Sequence, residues 1–176
     1  ASEAKWHSLI ESAPDFILII DRRFKIMFIN RTQPGETIND VIGKSVFDHV
    51  SKEHRLPMKK AINQVFKTGK PATVEVETVT GPGATAWVST RVGAVRERNK
   101  ITAVTLMSTD ITPRREMEVS LSRAEQRYRT LYESSRDAIM TLAPPQWAFT
   151  SGNPATVRLF RVKDEAEFIS KGPWEL

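Results

Sequence analysis

Lys5-Trp6-His7-Ser8-Leu9-Ile10-Glu11-Ser12-Ala13-Pro14-Asp15-Phe16-Ile17 and Arg127-Tyr128-Arg129-Thr130-Leu131-Tyr132-Glu133-Ser134-Ser135-Arg136-Asp137-Ala138-Ile139 are two versions of one motif, set 122 residues apart. Leucine, glutamate, serine, aspartate and isoleucine coincide, and aromatic Trp6 meets aromatic Tyr128. One residue further out of register, Asn30-Arg31-Thr32 answers Asn153-Pro154-Ala155-Thr156. A period this long marks a duplicated domain rather than a short solenoid unit. With 176 residues, the chain holds one domain of ordinary size and only about 50 residues of the second copy. The expected organisation is a first domain with a short N-terminal helix over 1–112, a linker over 113–135, and an incomplete second copy over 136–176.

Within the first copy, strand and helix patterns alternate. Phe16–Asp21 is a strand, and Arg22-Arg23 turns it into a second, Lys25–Asn30. Arg31–Lys44 is polar and turn-rich, broken by Pro34-Gly35 and closed by Gly43. From Lys52 to Thr68 the apolar residues mostly follow helical spacing, Pro57 sits in the first turn, and Gly69 with Pro71 ends the helix. Three strands follow. Ala72–Val79 separates Val74 and Val76 from Glu75 and Glu77. Thr85–Val95 places Val88, Thr90, Val92 and Ala94 on one face, and Ile101–Ile111 is the last strand. Gly81-Pro82-Gly83 and Arg96–Lys100 supply the hairpin turns. The sum is an α+β fold, a five-stranded antiparallel sheet with helices on one face.

After the last strand, Thr112 is the expected N-cap and Pro113 the first helical residue. Met117, Leu121, Ala124, Tyr128 and Leu131 then follow in steps of 4, 3, 4 and 3, an a/d seam of two heptads flanked by charged residues. Such a seam either pairs with its own copy in a parallel dimer or packs on its own domain; the dimer is the expectation.

Composition narrows the function. A hydrophobic share of 40% and a charged share of 27% are those of an ordinary globular protein. The longest apolar run, Phe16–Ile20, is strand-sized and well short of the ~18–20 residues of a membrane span. Ala1–Lys5 lacks the apolar stretch of a secretory signal, so a cytoplasmic location is expected. Without cysteine there is no disulfide, thiolate metal site, cysteine nucleophile or flavin–cysteine photochemistry. The net charge of +5 is spread over loops and linker, with no basic stripe interleaved with aromatics, so nucleic acid is not an expected partner.

Catalysis is not expected. His7, His49 and His54 fall in different elements, no His/Asp/Glu set has metal-ligand spacing, and no glycine loop precedes a helix to cradle phosphate. Asp15 and Asp21 bracket a strand as turn caps.

Four segments give the chain a resemblance to the PAS domain family: Ser12-Ala13-Pro14-Asp15, Asn30, Ile42-Gly43-Lys44-Ser45, and the terminal Asp110-Ile111-Thr112 followed by a charged helix. The second copy, with Glu133–Ile139 and Asn153-Pro154-Ala155, resembles the opening of another PAS domain. The resemblance implies a sensory input and relay module of a signalling protein, foremost a sensor histidine kinase, with effector domains elsewhere in the parent chain. It also implies two rival functions: a haem- or flavin-based redox or gas sensor, and a ligand-free dimerisation module of a diguanylate cyclase. The pocket would be formed by Met58, Ile62, Phe66, Val88, Thr90, Val92, Val104 and Leu106, and the relay by Asp110, Thr112, Arg114, Met117, Leu121, Ala124, Tyr128 and Leu131.

Neither haem nor flavin is expected. His54 stands in the polar segment Ser51–Arg55 as an exposed first-turn residue, and Met58 is a packing residue. Trp87 alternates away from the Val88/Thr90/Val92 face, and Asn30 ties a turn through its side chain. The segment from Asn30 to Gly43, with Pro34-Gly35 where the family often has a small helix, implies a small or filled core. A small organic ligand remains compatible with it.

Overall fold

The computed structural model describes residues 5, 8, 10–81 and 83–173. Trp6, His7 and Leu9 of the repeated motif, most of the expected N-terminal helix and Pro82 of the expected turn lie outside the described residues, as do residues 1–4 and 174–176.

Strand β1 (Phe16–Ile20) turns into β2 (Ile26–Ile29) through a loop organised by Asp21, whose Oδ1 accepts the amides of Arg23 and Lys25, each at 2.8 Å. The polar stretch that follows is not wholly irregular. It forms the one-turn helix α1 (Ile38–Val41), in which Asp40 Oδ2 reaches back to the hydroxyl (2.6 Å) and amide (2.9 Å) of Thr37. Those two bonds hold the Asp40 carboxyl below the usual carboxylate range. Two 3-10 turns, Val46–His49 and Lys52–His54, lead into α2 (Arg55–Thr68). Helix α2 buries Met58, Ala61, Ile62 and Val65 along one stripe. It ends at Gly69, where a left-handed φ of 68° lets the Gly69 amide cap Val65 at 2.8 Å.

Strands β3 (Ala72–Gly81), β4 (Ala84–Glu97) and β5 (Lys100–Asp110) complete a sheet of order β2-β1-β5-β4-β3. All its pairings are antiparallel, and one rung runs Leu18, Leu106, Val92, Ala72 across four strands. The free edge of β3 is partly covered, since Val50 bridges Thr78 and the Ser51 amide donates to Glu77 O at 3.0 Å. Helix α2 and the 3-10 turns cover one face, as the alternation of Val88, Thr90 and Val92 requires.

By its contacts the chain divides into two compact units, Ala1–Arg115 and Glu116–Leu176. Helix α3 (Thr112–Ser134) runs through the linker expected over 113–135 and contributes its first residues to one unit and the remainder to the other. The second unit has a two-stranded sheet, β6 (Met140–Ala143) with β7 (Ala148–Gly152), then α4 (Pro154–Phe160) and α5 (Glu165–Ser170). Its core is small: Phe149, Val162 and Phe168, with the rings of Phe149 and Phe168 4.4 Å apart.

The duplication extends to individual hydrogen bonds. Asn30 Oδ1 accepts the Ile17 amide at 2.8 Å, and its Nδ2 donates to Ile10 O and Asp15 O, each at 3.0 Å. Asn153, fully buried, repeats the bracket: Oδ1 accepts the Ile139 amide at 3.0 Å, and Nδ2 donates to Tyr132 O (3.0 Å) and Asp137 O (2.9 Å). In both copies one amide satisfies three backbone groups where a helix end turns into the first strand.

Ile62 is completely buried in the middle of α2. Ile62→Ala is expected to lower the unfolding free energy by about 2–5 kcal/mol in chemical denaturation; a loss under about 0.5 kcal/mol would place the core elsewhere.

Candidate functional site

Between the sheet and the α1/3-10 segment lies a cleft of about 210 Å³. Its floor comes from β4 and β5 (Ala86, Val88, Thr90, Leu106, Ser108, Asp110), and Phe16, Leu18 and Ile29 extend it across β1 and β2. Thr32, Gln33, Pro34, Glu36, Val41, Val46, His49, Val50 and Met58 form the opposite wall, and Thr78 and Thr80 close the β3 side. Four of the expected pocket residues line this space: Met58, Val88, Thr90 and Leu106.

The other four do not. Ile62, Val92 and Val104 are fully buried in close-packed core. Phe66 is half-buried under the Arg22 guanidinium, 5.1 Å from its ring centroid. All eight residues belong to the same apolar layer. The last two turns of α2 press directly on the sheet, whereas the other end is covered by the short α1 and by turns, which do not fill it. The reduced Asn30–Gly43 segment, from which a small or filled core is expected, leaves a small cleft at that end. His49, invisible as a site residue in the sequence, lines the cleft because its 3-10 turn is pinned by buried Val46 and Val50.

The cleft meets the start of α3 at one residue. Asp110 lines the cleft, and its Oδ1 accepts the Thr112 amide at 2.8 Å. Thr112, the expected N-cap, does something else: its Oγ1 accepts the Trp87 amide at 2.8 Å. The Ile111 amide donates to Trp87 O at 2.8 Å, so strand β4 grips the junction on both sides of the Trp87 peptide.

Trp87 lies on the sheet face away from the core, as its alternation requires, but it is not idle there. The Arg115 guanidinium sits 3.8 Å from its ring centroid and pairs with Glu75 at 2.6 Å. The His54 ring meets it edge-on at 4.9 Å. Arg115, which the sequence does not single out, thus ties the first turn of α3 to β3 and β4. His54, expected to be exposed, is half-buried, and its Nδ1 has no hydrogen-bond partner among the described residues.

Folding also assembles a group that no sequence spacing shows. Glu53, His54 and Glu77 bring one donor atom each within 4.8 Å of one another. Two carboxylates and an imidazole suit a divalent cation in donor type. Here the Glu77 oxygens already accept the hydroxyls of Ser51 (3.1 Å) and Thr85 (2.9 Å).

Further along α3, the seam residues Met117, Leu121, Tyr128 and Leu131 are between 61 and 70% exposed, and Ala124 is exposed with them. Among the described residues, none of these five is buried against the chain.

The comparisons agree with this geometry. The family described as PAS fold matches residues 10–116, and the family described as PAS domain matches residues 126–175. The chain belongs to the PAS family. Sporulation kinase A of Bacillus subtilis (strain 168) is 22% identical over 174 residues, which is 97% of this chain but 28% of that protein. Among solved structures, the PAS domain of a Colwellia psychrerythraea protein superposes with a TM-score of 0.57 at 13% identity, covering 64% of this chain and 99% of that one. The PAS domain of an HTR-like protein from Haloarcula marismortui gives 0.52 at 17% identity, covering 62% and 92%. No helix among the described residues is long and apolar enough to cross a membrane.

Asp110→Ala removes the acceptor that holds the Thr112 amide. A loss of about 0.5–2 kcal/mol in unfolding free energy is expected, as for a helix cap, with faster hydrogen exchange at Thr112. Unchanged exchange there would mean that Asp110 does not secure the junction.

Proposed function

We propose that this chain is the sensory input and relay segment of a sensor histidine kinase, working in the cytoplasm. The observation that carries the proposal is that one residue, Asp110, both lines the cleft and caps the first turn of α3. A ligand in the cleft would alter the Asp110 side chain or the β5 backbone beneath it. Either change reaches Thr112 and Arg115 without crossing any other element. The similarity to sporulation kinase A along nearly the whole chain supports a kinase as the parent. Phosphotransfer would belong to domains outside these residues.

The rival cofactor-based sensor is disfavoured by size, because about 210 Å³ is well under what a haem or flavin ring system fills. A small organic ligand suits the cleft instead.

The exposed Met117/Leu121/Ala124/Tyr128/Leu131 seam is proposed to pair with its copy in a parallel homodimer, so that a shift at Thr112 becomes a change of register or rotation between two helices. Leu121→Glu should then give monomers by light scattering while the first unit stays folded. In the full-length protein, inserting one residue after Ala124 should alter output more than inserting seven, since one residue turns the following face by about 100° and a heptad restores it. Equal output from the two insertions would make the helix a passive spacer.

A further inference from the structure

We propose that the cleft takes an uncharged organic molecule of about eight heavy atoms, with an apolar body and one hydroxyl group. The inference rests on the ligand-sensing function above and specifies the chemistry of the ligand.

Size comes from the volume. A dry cavity of about 150 Å³ accepts benzene, so the 210 Å³ here corresponds to roughly eight heavy atoms. The apolar body follows from the lining, where Ile29, Val41, Val46, Met58, Val88 and Leu106 are all buried apolar side chains.

Charge is decided by what the lining contains. Its formally charged residues are Glu36 and Asp110, and no lysine or arginine lines the cleft, although the chain carries a net +5. An anion would lose its hydration facing two carboxylates and no cation. A cation would meet two carboxylates, half-buried Glu36 and exposed Asp110, of which Asp110 already holds the Thr112 amide. The rest of the lining carries no negative charge to offset its lost hydration.

The hydroxyl follows from two polar groups. His49 lines the cleft, and its Nε2 is buried with no hydrogen-bond partner among the described residues. Buried polar groups are normally partnered. Turned toward the cleft, the ring would offer this nitrogen to a ligand, and a hydroxyl, being both donor and acceptor, meets either imidazole tautomer. Half-buried Ser108, whose Oγ lies 2.8 Å from Thr90 Oγ1, retains hydrogen-bonding capacity on the floor for the same ligand.

Four probes of nearly one shape separate these elements: benzyl alcohol, toluene, benzoate and benzylammonium, each titrated into the 176-residue chain and followed by the amide signals of Leu106 and Ser108. Benzyl alcohol is expected to bind about tenfold more tightly than either ion, and more tightly than toluene. His49→Phe should weaken the preference of the alcohol over toluene while toluene still binds. Either ion matching the alcohol, toluene matching it, or a preference unchanged in His49→Phe would overturn the assignment, and ligand sensing by the cleft would survive. If none of the four moves those amides at about 10 mM, the assignment also fails, and the insertion experiment on the linker decides separately whether the relay stands.

Discussion

The last strand of the first unit in sequence is the central strand of its sheet. Strand β5 pairs with β1 on one side and β4 on the other, so Leu106 faces Leu18 and Val92 at once. A central strand is the best-held element of an antiparallel sheet, because both rows of its backbone groups are engaged. Its inward side chains supply the cleft floor, and its end passes into α3 after a single residue, Ile111. The cleft floor and helix α3 are therefore parts of one continuous stretch of backbone.

That continuity explains why the contacts around Trp87 matter more than their surface position suggests. An exposed ion pair such as Arg115–Glu75 contributes little to stability by itself, about 0–1 kcal/mol. Here it is combined with a guanidinium over an indole, a threonine hydroxyl on a backbone amide and an aspartate on another. Each is weak enough to be broken by ligand-sized energies. Together they fix the direction in which α3 begins, as the proposed two-state relay requires of its joint.

The parts of this architecture that were legible in the sequence are the local ones. Alternation identified the inward faces of β3 and β4, Gly69 marked the end of α2, and Asn30 with Asn153 marked the duplication, which the structure carries down to its hydrogen bonds. The cleft was only half legible. Periodicity assigns a side chain to a face but not to a position along it, so Ile62 and Val92 looked equivalent to Met58 and Val88. What separates them is the element packed opposite, and that is a tertiary property. The same holds for His54 against Trp87, for Arg115 against Glu75, and for His49, whose burial comes from a 3-10 turn without a repeating pattern.

The central claim is that occupancy of the cleft is felt at the first turn of α3. Hydrogen exchange of the Ile111, Thr112 and Arg115 amides, measured with and without saturating benzyl alcohol, tests it most directly, because these amides are bonded to Trp87 O, Asp110 Oδ1 and Ile111 O. The account predicts a change in protection at all three when the cleft fills. Protection that stays the same at the three junction amides, while Leu106 and Ser108 respond to the ligand, would contradict it.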